Sequence, residues 1–482
     1  MDPITICYAF RPVRRSLATG QVADLFGLST DEPPYTVADG VELDVRPGDL
    51  VLVTGPSGSG KSSLLREVGR QLGAVDAMSL ELPDLPLVDA LAGPVEERLG
   101  LLAACGLSEA RVVLRTPGEL SDGQRYRFRL AYGLAAVTGD HSPGVHARRS
   151  SEPCTERSGV SGQPGSREAA PNSPGPRVGR LLRSAPCAAP ISRFLLADEF
   201  AANLDRTLAK VLAFNLRKLV TRTGVGALLA TTHEDLTADL RPDLHVRCLG
   251  DGDVRPVRDD WAREPRAISF AGELSIEDGS AADWDQFAKW HYRSHRLAFV
   301  KRVVQLRHGA EPVGVCVFTT PAAALAVRSR YFGLTRPRSG LALAALNQQL
   351  WLLSRVVLHP TYRGAGLAAW FVREACRTCP VRWVETLTAM GHANPVFERA
   401  GFVRVGVIRK ASRGRESPVR YGGQFGPRAG CSPATARKSR YSQPVYYVFD
   451  NRSSATVAAR TSSGVNAIGT PSPCCHGSNR SA

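Results

Sequence analysis

The stretch Leu50-Val-Leu-Val-Thr-Gly55-Pro-Ser-Gly-Ser-Gly-Lys61-Ser62 runs from an apolar segment through a glycine-rich turn to a lysine and a serine. Residues 41–54 predict one strand, a turn at Pro47-Gly48 and a second, buried strand. The following residues, SSLLREVGRQL, predict a helix. A strand, a glycine-rich loop and a helix in this order present backbone N–H groups to an anion at the positive end of the helix. We therefore expect a phosphate site here.

The spacing G-x-x-x-x-G-K-[ST] in residues 55–62 is that of a P-loop, which binds the phosphates of a nucleotide. In such a loop the lysine, here Lys61, neutralises the β and γ phosphates, and the hydroxyl of Ser62 binds Mg²⁺. The residues expected to contact the nucleotide are Gly55, Pro56, Ser57, Gly58, Ser59, Gly60, Lys61, Ser62 and Ser63.

Four further segments refine this expectation. Leu120-Ser121-Asp122-Gly123-Gln124 resembles the LSGGQ signature of ABC-type ATPases, with Asp in place of one Gly. Phe194-Leu-Leu-Ala-Asp198-Glu199 resembles their Walker B strand, Asn203-Leu204-Asp205 their D-loop, and Thr231-Thr232-His233 their switch histidine. Several motifs in the family's order are more specific than any one of them.

The resemblance implies a role for each residue. Asp198 and Ser62 would hold the metal, and the catalytic residues would be Glu199, His233 and Lys61, with Glu199 polarising the attacking water. Ser121, Gly123, Gln124 and Asp205 would belong to the nucleotide site, with the Ser121 loop capping the ATP bound on a second copy of the chain. Mg²⁺, ATP and an ATP-dependent homodimer are the cofactors and partner implied.

The signature and Walker B lie further apart than in that family, since Ser121 and Asp198 are 77 residues apart. Residues 138–192 between them are dense in Ser, Pro, Gly and Arg and lack an apolar period, which predicts a disordered insertion. An insertion in a surface loop costs little, because the entropy of loop closure rises slowly with length.

Two positions differ from the family's pattern. No Gln occurs from 72 to 123, where the family has a glutamine that couples to a membrane subunit, and Glu81 or Asp84 could stand in for it. The aromatic side chain that stacks on adenine is expected at Tyr35, with Phe26 as the alternative and a plain surface-loop aromatic as a third interpretation.

A second phosphate-binding pattern follows in RVVLHPTYRGAGLA, residues 355–368, which predicts a strand, a glycine turn and the start of a helix. Arg363-x-x-Gly366-x-Ala368 resembles the Q/R-x-x-G-x-G/A motif of GNAT acetyltransferases, and residues 394–402 resemble that family's helix ending in Gly-Phe. The resemblance implies binding of acetyl-CoA through Arg363, Gly364, Ala365, Gly366 and Ala368. An α/β domain that binds nothing is the alternative.

Acetyl transfer is a weaker expectation than acetyl-CoA binding. The family's tyrosine that protonates the leaving thiolate falls at Phe397, which has no acidic proton. The candidate general bases are Glu385, His291 and Tyr292, although a salt-bridged surface glutamate is an equally good interpretation of Glu385.

The predicted fold class is α/β, with a P-loop ABC-type ATPase domain followed by a GNAT-like α+β domain that binds acyl-CoA. The predicted division is an N-terminal segment 1–21, the ATPase domain 22–250 with its disordered insertion 138–192, a linker 251–267, the GNAT-like domain 268–410, a disordered segment 411–440, a final strand in 441–450, and a disordered tail 451–482.

The formal charge of +16 lies mainly in residues 139–193 and 409–482. These basic segments could contact nucleic acid non-specifically, but solvated linkers are the favoured interpretation. No apolar run is long enough to span a bilayer, the first fifteen residues do not resemble a secretory signal, and the eleven scattered cysteines fit a reducing compartment. We expect a cytoplasmic protein.

The leading hypothesis is an ATPase whose ATP-driven dimer closure controls an acetyltransferase site that acts on an unknown acceptor. The first alternative is the ATPase subunit of an ABC transporter, with the second domain as a sensory appendage and a membrane partner on another chain. The second alternative is a regulatory ATPase that acts on nucleic acid.

Overall fold

The computed structural model describes residues 1–8, 16–27, 34–139, 193–259, 261, 266–291, 297, 299–334, 339–408 and 443–452. The stretches predicted to be disordered, 138–192, 411–440 and 451–482, lie outside the described residues except at their edges. In the described ranges no helix combines the length and the apolar character needed to cross a membrane.

The first half of the chain forms two sheets flanked by helices. Its strands are β1 (Ile4–Tyr8), β2 (Tyr35–Val41), β3 (Leu50–Thr54), β4 (Val75–Asp76), β5 (Phe194–Ala197), β6 (Gly226–Thr231), β7 (Leu244–Gly250) and β8 (Asp253–Arg258). Its helices are α1 (Leu17–Phe26), α2 (Lys61–Leu72), α3 (Val95–Ala104), α4 (Asp122–Thr138), α5 (Arg206–Thr223) and α6 (Thr237–Leu240).

The main sheet of this half has the strand order β4-β5-β6-β3-β7-β8. All its neighbours are parallel except β7 and β8. Every residue of β3, β5 and β6 is buried, as expected for parallel strands covered on both faces. One apolar cluster joins the sheet to α4 and α5, and another joins it to α2 and β1. The loop 55–60 thus extends from β3 of this sheet, and α4 packs against the same sheet.

The predicted boundaries of this half were too narrow. Segment 1–21 contributes β1, which pairs antiparallel with β2. The predicted linker 251–267 contains β8, which pairs antiparallel with β7 and closes one edge of the main sheet. Its polar residues are those of an exposed edge strand, where Pro256 is tolerated, so composition alone resembled a linker. The first of the two strands predicted in residues 41–54 does not form. β2 ends at Val41, and residues 42–49 are not in a strand.

The second half is built on one seven-stranded sheet. Its strands are β9 (Leu274–Gly279), β10 (Val300–His308), β11 (Glu311–Thr319), β12 (Leu350–Leu358), β13 (Trp383–Thr388), β14 (Val403–Val407) and β15 (Val445–Asp450). Its helices are α7 (Trp284–Ala288), α8 (Ala326–Tyr331), α9 (Gly340–Gln349), α10 (Leu367–Arg377) and α11 (Val396–Arg399).

The strand order of this sheet is β14-β15-β13-β12-β11-β10-β9. Every neighbouring pair is antiparallel except β12 and β13, which are parallel and pair only through Leu350, Trp351 and Leu352. Beyond this short ladder the carboxyl ends of β12 and β13 are no longer paired with each other, while β12 stays paired with β11 and β13 with β15. The chain leaves β12 there, passes through the turn 363–366 and enters α10.

The two halves share an apolar junction. Val211 and Phe214 of α5 belong to the same buried cluster as Phe270 and Tyr362 of the second half. The guanidinium of Arg266 also donates to the carbonyl oxygen of Phe214 on α5 over 2.9 Å. Helix α5 is therefore part of both cores.

Candidate nucleotide site

The loop after β3 has a shape that only glycine permits at two positions. A Cβ on Gly55 would lie 2.0 Å from the carbonyl oxygen of Cys248, and a Cβ on Gly60 would lie 2.1 Å from Cγ1 of Val37. Both distances are far below van der Waals contact, so a side chain would force the loop away from β7 or β2. The backbone of the loop therefore packs closely against β7 and β2.

A cavity of about 500 Å³ opens over this loop. The residues that line it come from distant parts of the chain: Tyr8, Tyr35, Val37, Ser57, Gly58, Gly60, Lys61, Ser62, Ser63, Asp198, Glu199, Ala202, Ala230, Thr231 and Thr232. The fold thus brings the loop together with the ends of β5 and β6, because these strands are parallel neighbours of β3 and end at the same edge of the sheet.

The acidic pair at the end of β5 faces the loop. The hydroxyl of Ser62 donates to Oδ1 of Asp198 over 3.0 Å, and the same oxygen accepts from the backbone N–H of Glu199 over 3.0 Å. Arg66 on α2 lies 3.5 Å from the other carboxylate oxygen. Glu199 has a φ of 51°, which is uncommon for a residue with a side chain and is often found at functional sites.

The predicted switch residue His233 follows β6 but does not line the cavity. Its backbone N–H donates to Oγ1 of Thr231 over 3.2 Å, and its neighbours Thr231 and Thr232 do line the cavity. Burial lowers the pKa of His233, and the positive charge of Arg206 lowers it further. The imidazole is therefore mainly neutral near pH 7.

The signature residues lie at the start of α4, outside the cavity. Ser121 caps this helix: its hydroxyl accepts from the N–H of Gln124 over 3.4 Å, and Oε1 of Gln124 accepts from the N–H of Ser121 over 3.2 Å. Gly123 lies beside Asn203 and Leu204. Asp205 caps α5, because Oδ1 of its carboxylate accepts a hydrogen bond from the backbone N–H of Leu208 over 2.9 Å.

A buried tyrosine connects the signature helix to the acidic pair. The backbone N–H of Ala201, two residues after Glu199, donates to the hydroxyl of Tyr126 on α4 over 2.9 Å. Burial raises the pKa of Tyr126, so the hydroxyl stays protonated. The connection spans 75 residues of sequence, and no local pattern in the sequence marks it.

The residues present fit a nucleotide with its metal. Oγ of Ser59 in the loop is buried and has no hydrogen-bond partner in the described part of the chain, although Ser59 does not line the cavity. The ammonium of Lys61 lies 2.6 Å from the carbonyl oxygen of Pro56, a weak partner that a phosphate could replace. Ser62 and Asp198 supply the hard oxygen donors that Mg²⁺ prefers.

Two aromatic side chains lie at the mouth of the cavity. Tyr35, predicted to stack on adenine, lines it, whereas Phe26 on α1 is exposed and does not. Tyr8 also lines it and donates to Oγ of Ser63 over 2.8 Å. Tyr8 was not predicted as a site residue, although the alternation in Ile4–Tyr8 is typical of a strand. Glu81 and Asp84 are exposed and do not line the cavity.

In the second half, the predicted loop residues 363–368 form the turn 363–366 between β12 and α10 and the first two residues of α10, and the turn lies against the first half of the chain. Gly364 faces the carbonyl oxygen of Ala103 and the side-chain amide of Asn215, and Lys218 lies beside Ala365 and Gly366. The side chain of Arg363 donates from Nε to the carbonyl oxygen of Leu358 over 2.9 Å. The sequence did not predict this contact between the turn 363–366 and the first half of the chain.

Glu385 is not placed to act as a general base. Its carboxylate accepts two hydrogen bonds from Arg328, of 2.8 and 2.9 Å, and one of 2.8 Å from the hydroxyl of Tyr446, and the side chains of Glu385 and Arg328 are both fully buried. The expected salt bridge of Glu385 is therefore internal and not at the surface. The other two candidate general bases are His291 and Tyr292. The ring of His291 packs edge-on against Trp284, and Tyr292 lies outside the described residues. Phe397 is buried.

Comparisons with known proteins match the first half of the chain. The chain is 30% identical over 261 residues to the lipoprotein-releasing system ATP-binding protein LolD of Novosphingobium aromaticivorans, a match covering 51% of this chain and 96% of the relative. It is 34% identical over 220 residues to the protein of the same name from Ruegeria pomeroyi, covering 45% of this chain and 87% of the relative. No family model matches the chain.

Solved structures of ATP-binding cassettes also align with it. A post-hydrolysis dimer of the cassette MJ0796 bound to ADP and phosphate covers 53% of this chain and 97% of its own, with 17% sequence identity and a TM-score of 0.31. A likeness of this size carries no argument about function.

Proposed function

Because this chain belongs to the ABC ATPase family through its first half, we propose that it binds and hydrolyses Mg-ATP and supplies the energy of a membrane transport assembly. One observation carries the proposal. Lys61, Ser62, Asp198 and Glu199 line a single cavity, although the first and last are 138 residues apart in the sequence.

The chain's own residues would act by positioning and by charge. The N–H groups of the loop and the ammonium of Lys61 would hold the phosphates, and Ser62 and Asp198 would hold Mg²⁺. When bound, Mg²⁺ neutralises charge on the phosphate oxygens. Glu199 would accept a hydrogen bond from the attacking water, and the neutral imidazole of His233 would donate one to the γ-phosphate.

The position of the signature supports action as a dimer. Ser121, Gly123 and Gln124 lie outside the cavity on the same chain, so a second copy would have to bring its signature over the nucleotide. The link from Tyr126 to Ala201 would then report the position of one copy's signature helix to its own acidic pair.

The transport role replaces the acetyltransferase as the leading hypothesis. The relatives are named as ATP-binding proteins of a lipoprotein-releasing system, and they match only the ATPase half. A membrane partner on another chain and a place in the cytoplasm are part of this proposal. The cargo is not part of it.

A second function, binding of a coenzyme A derivative, is proposed for the second half. Two features support it: the parallel pair β12–β13 separates beyond three paired residues within an otherwise antiparallel sheet, and a glycine turn leads from β12 into α10. Acetyl transfer is not proposed. Glu385 is bound by Arg328 and Tyr446, and buried Phe397 offers no proton for a leaving thiolate.

Co-purification tests the transport role. A tagged chain is expressed in its native cells, membranes are solubilised in detergent, and the proteins retained with the chain are identified. We expect an integral membrane protein at a fixed ratio to the chain, retained in high salt. Recovery of the chain only from the supernatant, with bound RNA or with no partner, would contradict the role and favour the nucleic-acid alternative.

A further inference from the structure

Two glycines in the turn before α10 have φ values close to those of two glycines in the nucleotide loop. In the first loop Gly58 and Gly60 have φ values of 84° and 87°, and in the second Gly364 and Gly366 have φ values of 93° and 85°. In each loop the second glycine caps the following helix without any side-chain hydrogen bond. The first N–H groups of each helix therefore have no partner within the helix or from the cap side chain.

Both loops also have a lysine against a loop carbonyl. Nζ of Lys61 is 2.6 Å from the carbonyl oxygen of Pro56, and Nζ of Lys218 is 3.5 Å from that of Ala365. Lys61 belongs to its own loop, whereas Lys218 comes from α5 in the first half of the chain. Its ammonium lies 4.0 Å from the ring centre of Phe214, and no ion pair of Lys218 is seen in the described part of the chain.

A second side chain of α5 points at the turn without a partner. Asn215 is 2% exposed, and its Nδ2 has no hydrogen-bond partner among the described residues. That nitrogen lies 2.8 Å from the place where a Cβ on Gly364 would stand. A buried amide donor without an acceptor is rare and calls for an acceptor oxygen at this point.

The charges that act on Lys218 are positive. Burial, with the positive charges of Arg266 and Arg399, lowers the pKa of Lys218 to about 8. Arg266 donates to the carbonyl oxygens of Phe214 and Asp239. Lys218 of the first half thus brings a positive charge beside the uncapped N-terminus of α10, which favours an anion there.

We propose that Lys218 and Asn215 of the first half contact the diphosphate group of a ligand bound at the turn 363–366 and the start of α10, so that the first half of the chain completes a site of the second half. The inference rests on the proposed binding of a coenzyme A derivative, and it adds the residues that the ATPase half contributes. Lys218 would contact the phosphates at this turn, as Lys61 would at the nucleotide loop.

Titration calorimetry on the full chain tests the proposal. A Lys61→Ala background weakens the nucleotide loop, and coenzyme A, ADP and inorganic pyrophosphate are titrated separately. We expect coenzyme A to bind. Adding Lys218→Gln should weaken its binding about tenfold or more, as for loss of a charge-assisted contact, while Lys218→Arg should keep it within about threefold. Binding of coenzyme A alone identifies it as the source of the diphosphate, and binding of all three probes identifies a general diphosphate site.

Asn215→Leu separates ligand binding from packing. Leucine has nearly the same shape and removes the unpaired donor, so the melting temperature should hold or rise while the affinity for coenzyme A falls. Parental affinity in both Lys218→Gln and Asn215→Leu would overturn this inference alone. A Lys61→Ala protein that binds none of the three probes would overturn both the inference and the proposed function of the second half.

Discussion

Replacing Arg328 by leucine leaves a carboxylate without its counter-charge in a place that solvent does not reach. Arg328 and Glu385 are both 0% exposed and are joined by two hydrogen bonds. Removing one partner of such a pair costs about 3–5 kcal/mol. With an unfolding slope of about 2 kcal/mol per molar urea, a loss of about 4 kcal/mol lowers the urea midpoint of the second half by about 2 M.

Tryptophan fluorescence reads this transition selectively, because all six tryptophans lie at residue 261 or beyond. Arg330→Leu, an exposed arginine on the same helix, is the matched control and should change the unfolding free energy by less than about 0.5 kcal/mol. Arg328→Leu with Glu385→Leu should recover most of the loss, except about 1 kcal/mol for Tyr446, whose hydroxyl loses its acceptor. A midpoint for Arg328→Leu within about 0.3 M of the parent would refute the assignment of Glu385 to a buried ion pair.

Three further outcomes are expected. Gly60→Ala should lower the affinity for a fluorescent ATP analogue at least about tenfold, because its Cβ would collide with Val37; parental affinity would contradict the loop geometry. Burial holds the pKa of His245 below its ordinary value, so below about pH 6.5 the unfolded chain binds more protons than the folded one and stability falls with acid. Urea unfolding followed by circular dichroism should show a smaller drop from pH 7 to pH 5 in His245→Asn than in the parent, and an equal drop would exclude His245 as a cause. Glu199→Gln should form a dimer in Mg-ATP that light scattering detects, and a monomer at saturating nucleotide would contradict the shared site.

The nucleotide loop could be predicted because its chemistry is local. Residues 55–62 carry the glycines, the lysine and the serine in one short segment, and the apolar residues of β3 before them indicate a buried strand. Asp198 and Glu199 follow another buried strand in the same way. Parallel neighbours in a sheet end at the same edge, so these segments meet without any further information.

The parts that could not be predicted depend on contacts between distant residues. Tyr8 reaches the cavity because β1 pairs with β2. The sequence of residues 9–34 between these two strands has no pattern that predicts this pairing. Arg328 lies 57 residues from Glu385, and a single glutamate in a strand does not reveal whether it meets a cation, a ligand or water. Lys218 lies 147 residues from Ala365, on the far side of the junction between the two halves.

Phosphate release from Mg-ATP by the full chain and its variants tests the central claim most directly, that the cavity over residues 55–62 is where ATP is bound and hydrolysed. We predict that the parent and Arg70→Ala, an exposed control on the same helix as Lys61, release phosphate at similar rates. Lys61→Ala should release none above background, and Glu199→Gln should bind ATP without releasing phosphate. A Lys61→Ala protein that releases phosphate as fast as the parent would contradict the claim.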